Sequence, residues 1–217
     1  MSGAAPKVRI WDLPVRLFHW SIVLIVPAMW ATHELDRMDL HILLGQILLG
    51  LVLFRLIWGL IGGSTARFSG FVRGPRAVAR YLRGRGGPIF GHNPLGGWSV
   101  LLMLLVLLTQ IGLGLFASDE DALYEGPLSH LVSYDSARTL AHRHETFFYV
   151  LLALIAVHIA AILYHRLVRR DDLITPMVTG RRAAGEDGRA LAPAPLWRFP
   201  LAAALAAGAT LAIVQLL

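Results

Sequence analysis

Five apolar stretches, each close to twenty residues long, constrain the fold of this 217-residue chain more than any other feature. A helix needs about 20 residues to cross the ~30 Å hydrocarbon core of a bilayer. The stretches cover roughly residues 14–32, 40–61, 98–117, 146–167 and 199–217. The first is long for a signal peptide and lacks a small-residue cleavage site, so we expect it to be retained. The sequence therefore predicts an all-α integral membrane protein with four helices in a bundle and a fifth, C-terminal transmembrane helix.

The charges in the connections predict an orientation. The 62–97 connection and the segment after the fourth stretch are rich in arginine, and the former has no acidic residue. The 33–40 and 118–143 connections are instead acidic. Because basic residues accumulate on the cytoplasmic side, this alternation predicts a cytoplasmic N-terminus and a periplasmic C-terminus in a bacterial inner membrane. The same rule explains the net charge of +6 without nucleic-acid binding, and membrane lipids become the expected surroundings.

Four histidines stand at the ends of the apolar stretches. His144 and His158 are fourteen residues apart on one stretch, which is about 21 Å of helix and nearly four whole turns, so they share a face. His19 and His41 open the first and second stretches. An imidazole in a bilayer is costly unless it is bound. The predicted topology pairs His19 with His158 near the inner surface and His41 with His144 near the outer surface.

Two pairs of neutral imidazoles at two depths fit two non-covalent haem b groups, each with bis-histidine ligation and with its iron about 20 Å from the other. The chain has no cysteine, which excludes thiolate ligation, iron–sulfur clusters, disulfides and covalent c-type attachment. His19, His158, His41 and His144 are therefore the candidate iron ligands.

His33 competes with His41 for the outer site, since it lies fourteen residues after His19. It belongs to the polar run THELDRMD, which is typical of a loop, whereas His41 begins an apolar stretch. Gly45 follows His41 by four residues on the same face and leaves room for a flat macrocycle. We favour His41, and His33 remains the alternative.

Arg55 lies fourteen residues after His41, at the inner end of the second stretch. It could extend its side chain to the interface, or it could form an ion pair with a propionate of the inner haem. Arg16, three residues before His19, is a second propionate candidate, although a charge that sets topology explains it more simply.

Smaller features complete the prediction. The six tryptophans lie mostly at the ends of the stretches, as interfacial tryptophans do. Thr109 and Gln110 are polar residues within the third stretch, where hydrogen bonds between helices are expected. The GHNPLGG run around His92 has the composition of a turn just before that stretch. Small residues around Gly208 predict close packing of the fifth helix.

Several motifs together resemble the bacterial cytochrome b561 family, which includes the b-type subunits of nickel–iron hydrogenases. The motifs are WDLPVRLFHW, the H-x3-G pattern at His41, RLIWG, GHNPLGGWS, and HRHE with a later VH. The resemblance covers roughly residues 8–170 and implies a four-helix di-haem domain whose ligands fall on His19, His41, His144 and His158. Residues 171–197 would then be a cytoplasmic linker, and the fifth helix at 198–217 departs from the family's four-helix core.

The resemblance implies a function in electron transfer between the quinone pool, with ubiquinone as the candidate quinone, and a redox protein such as a c-type cytochrome or a hydrogenase. The acidic outer connection, with Asp119, Glu120, Asp121 and Glu125, would suit a basic partner on the outer side. Within the same family, the alternative is an enzyme that oxidises superoxide and reduces quinone. A metal or proton transporter is a third reading, but no Asp or Glu lies in the middle of a stretch. The sequence is compatible with a homo-oligomer.

Overall fold

The fold was described from a computed structural model that covers residues 6–85, 91–184 and 190–215. Five of its helices are long and apolar enough to cross a membrane, which confirms the predicted all-α membrane architecture. In chain order the helices are α1 (Leu13–Glu34), α2 (Met38–Ile61), α3 (Phe68–Phe71), α4 (Pro75–Leu82), α5 (Pro94–Leu115), α6 (Tyr134–Leu167), α7 (Ile174–Thr179) and α8 (Arg198–Gln215). A short 3-10 helix (Ser129–Leu131) and two strands, β1 (Lys7–Arg9) and β2 (Arg181–Ala183), complete the described elements.

Polar residues extend two of the helices beyond their apolar stretches. α5 begins at Pro94 because the Asn93 side chain accepts a hydrogen bond from the Gly96 amide, at 2.6 Å, as an N-cap does. α6 begins at Tyr134, twelve residues before the apolar stretch, after the N-cap Ser133. Hydropathy marks only the part of a helix that lies in lipid, and the lengths predicted for both helices were therefore too short.

The turn between α1 and α2 is shorter than predicted. α1 continues through Glu34, so His33 lies in its last helical turn and the expectation of a loop there is wrong. Leu35 and Asp36 follow, and Asp36 adopts a left-handed conformation (φ 52°) that reverses the chain. His41 lies in the first turn of α2, as predicted.

The four helices α1, α2, α5 and α6 share one apolar core. α1 packs on α2, α5 packs on α6, and α2 joins the two pairs through its contact with α5. Buried residues of all four helices form the cluster Val26, Leu48, Leu49, Val52, Val106, Leu107, Ile111 and Leu151. These residues lie between the depths of the two histidine pairs, so they form an apolar layer across the middle of the bundle.

The fifth long helix, α8, packs against α2 through small residues, as the sequence predicted. Ala202 and Ala206 are buried in this contact. A methyl group added at Gly50 of α2 would lie 3.2 Å from the Thr210 hydroxyl, so the two backbones approach closely. α8 is therefore attached to the outside of the four-helix core.

One end of the bundle gathers the arginine-rich connections, and we call it the basic end (residues 6–12, 62–85, 91–93, 168–184 and 190–197). Here β1 pairs antiparallel with β2, with Val8 opposite Arg182. The Ser64 amide donates to the Ala192 carbonyl at 3.0 Å. The segment 171–197, expected to be a linker, thus contains α7 and β2 and is hydrogen-bonded to the N-terminal segment; residues 185–189 of it lie outside the described ranges.

The opposite end, which we call the acidic end, consists of residues 35–37 and 116–133. Ser118 and Glu125 form an isolated antiparallel bridge there. The two arginine-rich connections thus share one end and the acidic connections share the other, as the charge pattern predicted.

Two tryptophans are not interfacial. Trp11 and Trp58 are buried at the basic end, and the Trp58 indole donates to the Asp12 carboxylate at 2.9 Å. Asp12 also accepts the Val15 amide at 3.0 Å and caps α1. The interfacial interpretation is wrong for these two residues, because Trp11 packs against His92, and Trp58 packs against Phe54 and Phe199.

Candidate functional site

The structure brings His41 and His144 together at the acidic end. The centres of the two imidazole rings are 6.1 Å apart, and the planes are nearly perpendicular. His41 comes from the first turn of α2 and His144 from the third turn of α6. Both side chains are half-buried.

Each of these two rings is held by a backbone carbonyl. The Nδ1 atom of His41 lies 2.9 Å from the Met29 carbonyl oxygen. The Nδ1 atom of His144 lies 2.9 Å from the Gln110 carbonyl oxygen. A carbonyl can only accept, so Nδ1 must carry the proton in both rings. Nε2 then carries the lone pair, which is the arrangement that metal-ligating histidines commonly use. The Nε2 atom of His144 lies 3.3 Å from the Gln110 side-chain nitrogen, which can donate to it.

Gln110 and Gly114 of α5 form the wall behind His144. The Gln110 side-chain amide donates to the His144 backbone carbonyl at 3.0 Å, so the predicted hydrogen bond between helices is confirmed for Gln110. Thr109 instead bonds to Leu105 of its own helix, and the prediction is wrong there. A methyl group at Gly114 would lie 2.9 Å from His144 Cε1. Only glycine lets the ring lie this close to α5.

His33 is a third imidazole at this end. Its ring centre is 6.2 Å from that of His41, so distance alone does not separate it from His144 as a partner. His33 is exposed, however, whereas His144 is half-buried and oriented by α5. Among the residues that the structure describes, no group of three or more His, Cys, Asp or Glu residues could hold a metal ion directly.

A cavity of about 810 Å³ adjoins these histidines. Its volume is in the upper part of the range for ligand and cofactor pockets, roughly 300–1,000 Å³. Gly45 also lines it, on the face where the sequence predicted space. The lining residues at its rim include His142, Glu145, Asp119, Glu125 and Tyr124.

The second pair, His19 and His158, lies toward the basic end. The ring centres are 6.4 Å apart, between α1 and α6. The Nδ1 atom of His19 is buried, and the described part of the chain offers it no hydrogen-bond partner. The structure therefore pairs the four histidines as the predicted topology did.

Both spacings fit a flat macrocycle with an imidazole on each face. A metal–imidazole bond of about 2 Å and a distance of about 1.1 Å from nitrogen to ring centre give two centres about 6.2 Å apart. The measured 6.1 Å and 6.4 Å match this value. The residues present thus fit two bis-histidine haem groups, with the apolar layer between them.

A comparison with protein families found a match to the model of the prokaryotic cytochrome b561 over residues 10–180. The chain belongs to this family. It is accordingly a membrane cytochrome b that takes part in electron transfer and binds b-type haem. Neither the curated proteins nor the solved structures yielded a significant match.

In this cytochrome Arg55 is buried rather than extended to the interface. Its side chain is 2% exposed, and the guanidinium lies 5.1 Å from the Phe68 ring centre. Nη1 is buried and has no hydrogen-bond partner among the described residues. An unsatisfied buried donor costs about 1–3 kcal/mol, and more when it is charged. Arg55 therefore has the unused hydrogen-bonding capacity that a carboxylate would satisfy.

Two further basic side chains, near His19 and His158, contact the segment at the basic end that contains α7 and β2. Arg16 donates through Nη2 to the Val178 carbonyl of α7. His165 Nδ1 lies 3.6 Å from the Asp171 carboxylate, which also pairs with Arg182. Arg16 and His165 thus attach α1 and α6 to the segment that contains α7 and β2.

The acidic connection is partly neutralised by its own fold. Glu120 pairs with Arg138 at 2.9 Å, and the Asp119 carboxylate accepts the backbone amides of Leu123 and Tyr124. Asp121 and Glu125 are exposed. Since Glu125 also lines the cavity, one of these exposed acids lies next to the histidine site.

Three contributors to the sites were not recognised from the sequence. Gln110 was expected only to join helices, yet it positions His144. Asp12 joins the start of α1 to Trp58. His92 was expected to lie in a turn, and its ring packs between Trp11 and Phe71. The Gln110-x3-Gly114 spacing on α5, next to the helix that carries His144, is the one sequence signal that could have indicated the role of Gln110.

Proposed function

We propose that the chain is a di-haem cytochrome b that moves electrons across the bilayer between the quinone pool and a redox protein at the acidic end. One observation carries the proposal: two histidine pairs, with ring centres 6.1 Å and 6.4 Å apart, lie at opposite ends of one helix bundle. Haem iron, when bound, carries single electrons. Two such sites have little use unless electrons enter at one depth and leave at the other.

In this proposal α6 sets the distance between the sites. It supplies His144 to one pair and His158 to the other, fourteen residues apart, which corresponds to about 21 Å of helix. α1 and α2 supply the opposite ligands, His19 and His41. The apolar core between the pairs excludes water from the path.

Arg55 is proposed to bind a propionate of the haem at the basic end. Its burial and its free Nη1 support this assignment over a guanidinium that extends to the lipid headgroups. A charge-assisted hydrogen bond to a carboxylate would satisfy the donor and offset the burial of both charges.

The basic end is proposed to face the cytoplasm, because arginines accumulate there. The acidic end would then face the periplasm, where Asp121 and Glu125 could attract a basic c-type cytochrome, or a hydrogenase-like subunit could dock. A quinone such as ubiquinone would enter from the bilayer between helices.

Purified protein tests the proposal directly. We expect pyridine haemochrome analysis to give two haem b groups per chain, and redox titration to resolve two low-spin components. In proteoliposomes a quinol analogue should reduce both. One haem per chain would refute the two-site arrangement, and haems that no quinol reduces would remove quinone from the proposal.

Superoxide provides the comparison experiment. Reduction of the haems by superoxide without any protein partner would favour the alternative enzyme, an oxidase of superoxide that reduces quinone. The acids at the rim of the cavity argue against it, since they would repel an anionic substrate.

A further inference from the structure

His92 lies at the basic end, just before α5, and is linked to Arg55 through two phenylalanine rings. The Arg55 guanidinium lies 5.1 Å from the Phe68 ring centre, the Phe68 and Phe71 ring centres are 5.8 Å apart, and Phe71 contacts His92. The His92 ring packs at 4.6 Å from Trp11 and 4.5 Å from Phe71, measured between ring centres. The Nδ1 atom is buried, and no described residue offers it a hydrogen bond. Within the described residues, two buried polar atoms without a hydrogen-bond partner, Arg55 Nη1 and His92 Nδ1, therefore adjoin the same aromatic cluster of Phe68 and Phe71.

The surrounding packing fixes both groups in place. Phe68 lies over Arg55 and directly against Gly59, where an added Cβ would be only 2.2 Å from the Phe68 ring. Gly91 adopts φ 80°, a left-handed conformation, and brings His92 against Trp11. The arrangement is thus built by the fold and is not an accident of exposed side chains.

The electrostatics show which ligand the two groups would accept. Burial, and then the nearby charge of Arg55, lower the pKa of His92 to about 3. At neutral pH His92 is therefore a neutral imidazole that can donate one N–H, and Arg55 donates with a full charge. The nearby Asp12 already accepts the Val15 amide and the Trp58 indole. An additional oxygen anion is what both donors lack.

The position of Arg55 points to the source of that anion. Asp12 is seven residues before His19, which is about 10 Å of helix rise. Arg55 is three residues before Trp58, whose indole reaches Asp12, so it lies about 4–5 Å deeper along α2 than Trp58. Arg55 thus lies between the depth of Asp12 and the depth of the His19–His158 pair, where an edge of the macrocycle would face the basic end.

We propose that His92 and Arg55 together hold one carboxylate, a propionate of the haem bound between His19 and His158. His92 donates through Nδ1 and Arg55 through Nη1, so that the carboxylate satisfies both orphaned donors. The inference rests on the proposed function and adds a second binding residue to it.

Two substitutions separate the hydrogen bond from the packing. His92→Phe keeps an aromatic ring between Trp11 and Phe71 but has no nitrogen. His92→Asn keeps an N–H donor close to the Nδ1 position but loses the ring. Redox titration should show that His92→Phe lowers the midpoint potential of the basic-end haem by about 59 mV for one electron. At a given potential the ratio of reduced to oxidised haem would then fall about tenfold. His92→Asn should stay near the parent value.

Infrared difference spectra recorded with the titration supply a second readout. The propionate carboxylate band should shift in His92→Phe and not in His130→Phe, a matched substitution at an exposed histidine of the acidic end. In an Arg55→Leu background the effect of His92→Phe should shrink, because the two donors share one acceptor.

The inference fails if His92→Asn shifts the potential and His92→Phe does not, since packing would then be responsible. It also fails if His92→Phe leaves the basic-end potential and the carboxylate band unchanged. Failure of the proposed function is a different result: His19→Ala and His158→Ala would leave both haems in place.

Discussion

The two histidine pairs have the same spacing but different surroundings. At the acidic end, carbonyl oxygens of Met29 and Gln110 orient both imidazoles. At the basic end, His19 Nδ1 has no hydrogen-bond partner among the described residues, and two charged side chains, Arg55 and Asp12, are buried. One helix, α6, serves both pairs, so the difference comes from what packs against it. The acidic-end imidazoles are thus oriented by backbone hydrogen bonds, whereas the basic end buries two charged side chains.

This contrast predicts different redox potentials. Positive charge near a haem stabilises the reduced, more negative state, and negative charge stabilises the oxidised state. Buried Arg55 should therefore raise the potential of the basic-end haem. Asp119 and Glu125, which line the acidic-end cavity, should lower the potential of the acidic-end haem.

The largest expected effect is the loss of one haem of two. His19→Ala or His158→Ala should remove only the basic-end haem, and His41→Ala or His144→Ala only the acidic-end haem, since each iron would lose an axial ligand. Haem content and redox titration of the purified variants measure this. His130→Ala is the matched control, because His130 is exposed at the acidic end and does not line the cavity.

His33 provides the test of this pairing. We expect His33→Ala to keep both haems. If it removed the acidic-end haem while His41→Ala retained two, His33 would be the ligand and the paired arrangement of the acidic end would be wrong.

A smaller effect should follow from moving a ligand rather than removing it. Gly114→Ala places a methyl group 2.9 Å from His144 Cε1, so the ring must shift. Changes around a ligand typically lower metal affinity 10–100-fold, and we expect a loss of acidic-end haem affinity in that range. Gly112→Ala is the control on the same helix, since its methyl group would meet nothing within 4 Å. Haem titration of the apoprotein compares the two, and equal affinities would show that α5 does not position His144.

Arg55→Leu tests the charge-based side of the comparison. We expect the midpoint potential of the basic-end haem to fall by about 59 mV, which is a tenfold change in the ratio of reduced to oxidised haem at a given potential. The potential of the acidic-end haem should change little. Potentiometric titration of both components measures it. An unchanged basic-end potential would mean that Arg55 does not act on the haem.

The smallest expected effect concerns docking at the acidic end. Oxidation of the reduced protein by a basic c-type cytochrome should slow about tenfold as the ionic strength rises from 0.01 M to 0.15 M, because exposed charges are screened over about 8–10 Å. Asp121→Asn with Glu125→Gln should reproduce part of this loss. Glu120→Gln should have less effect, since Glu120 is already paired with Arg138. Stopped-flow rates that do not depend on salt would exclude charge-driven docking.

Much of the fold could be predicted because membrane insertion leaves a strong record in the sequence. Apolar length predicted all five long helices, and the arginine distribution predicted which connections share an end. The predictions were wrong for polar segments outside the apolar stretches, where hydropathy does not indicate secondary structure. The polar first turns of α6 and the last turn of α1 around His33 are helical because of capping and continued hydrogen bonding, to which hydropathy is blind.

The sequence by itself determined the five apolar helices, which connections lie at the same end of the bundle, and which histidines lie at the same depth. Each of these follows from helix periodicity and from the distribution of charge along one chain. Only the tertiary structure decided how the imidazoles are oriented, that Arg55 is buried, and that His92 adjoins the same aromatic cluster as Arg55. Those features depend on α5, the 62–74 segment and the N-terminal segment meeting in space. Contacts between residues far apart in sequence carry no periodic signal, so they emerge only when the helices pack.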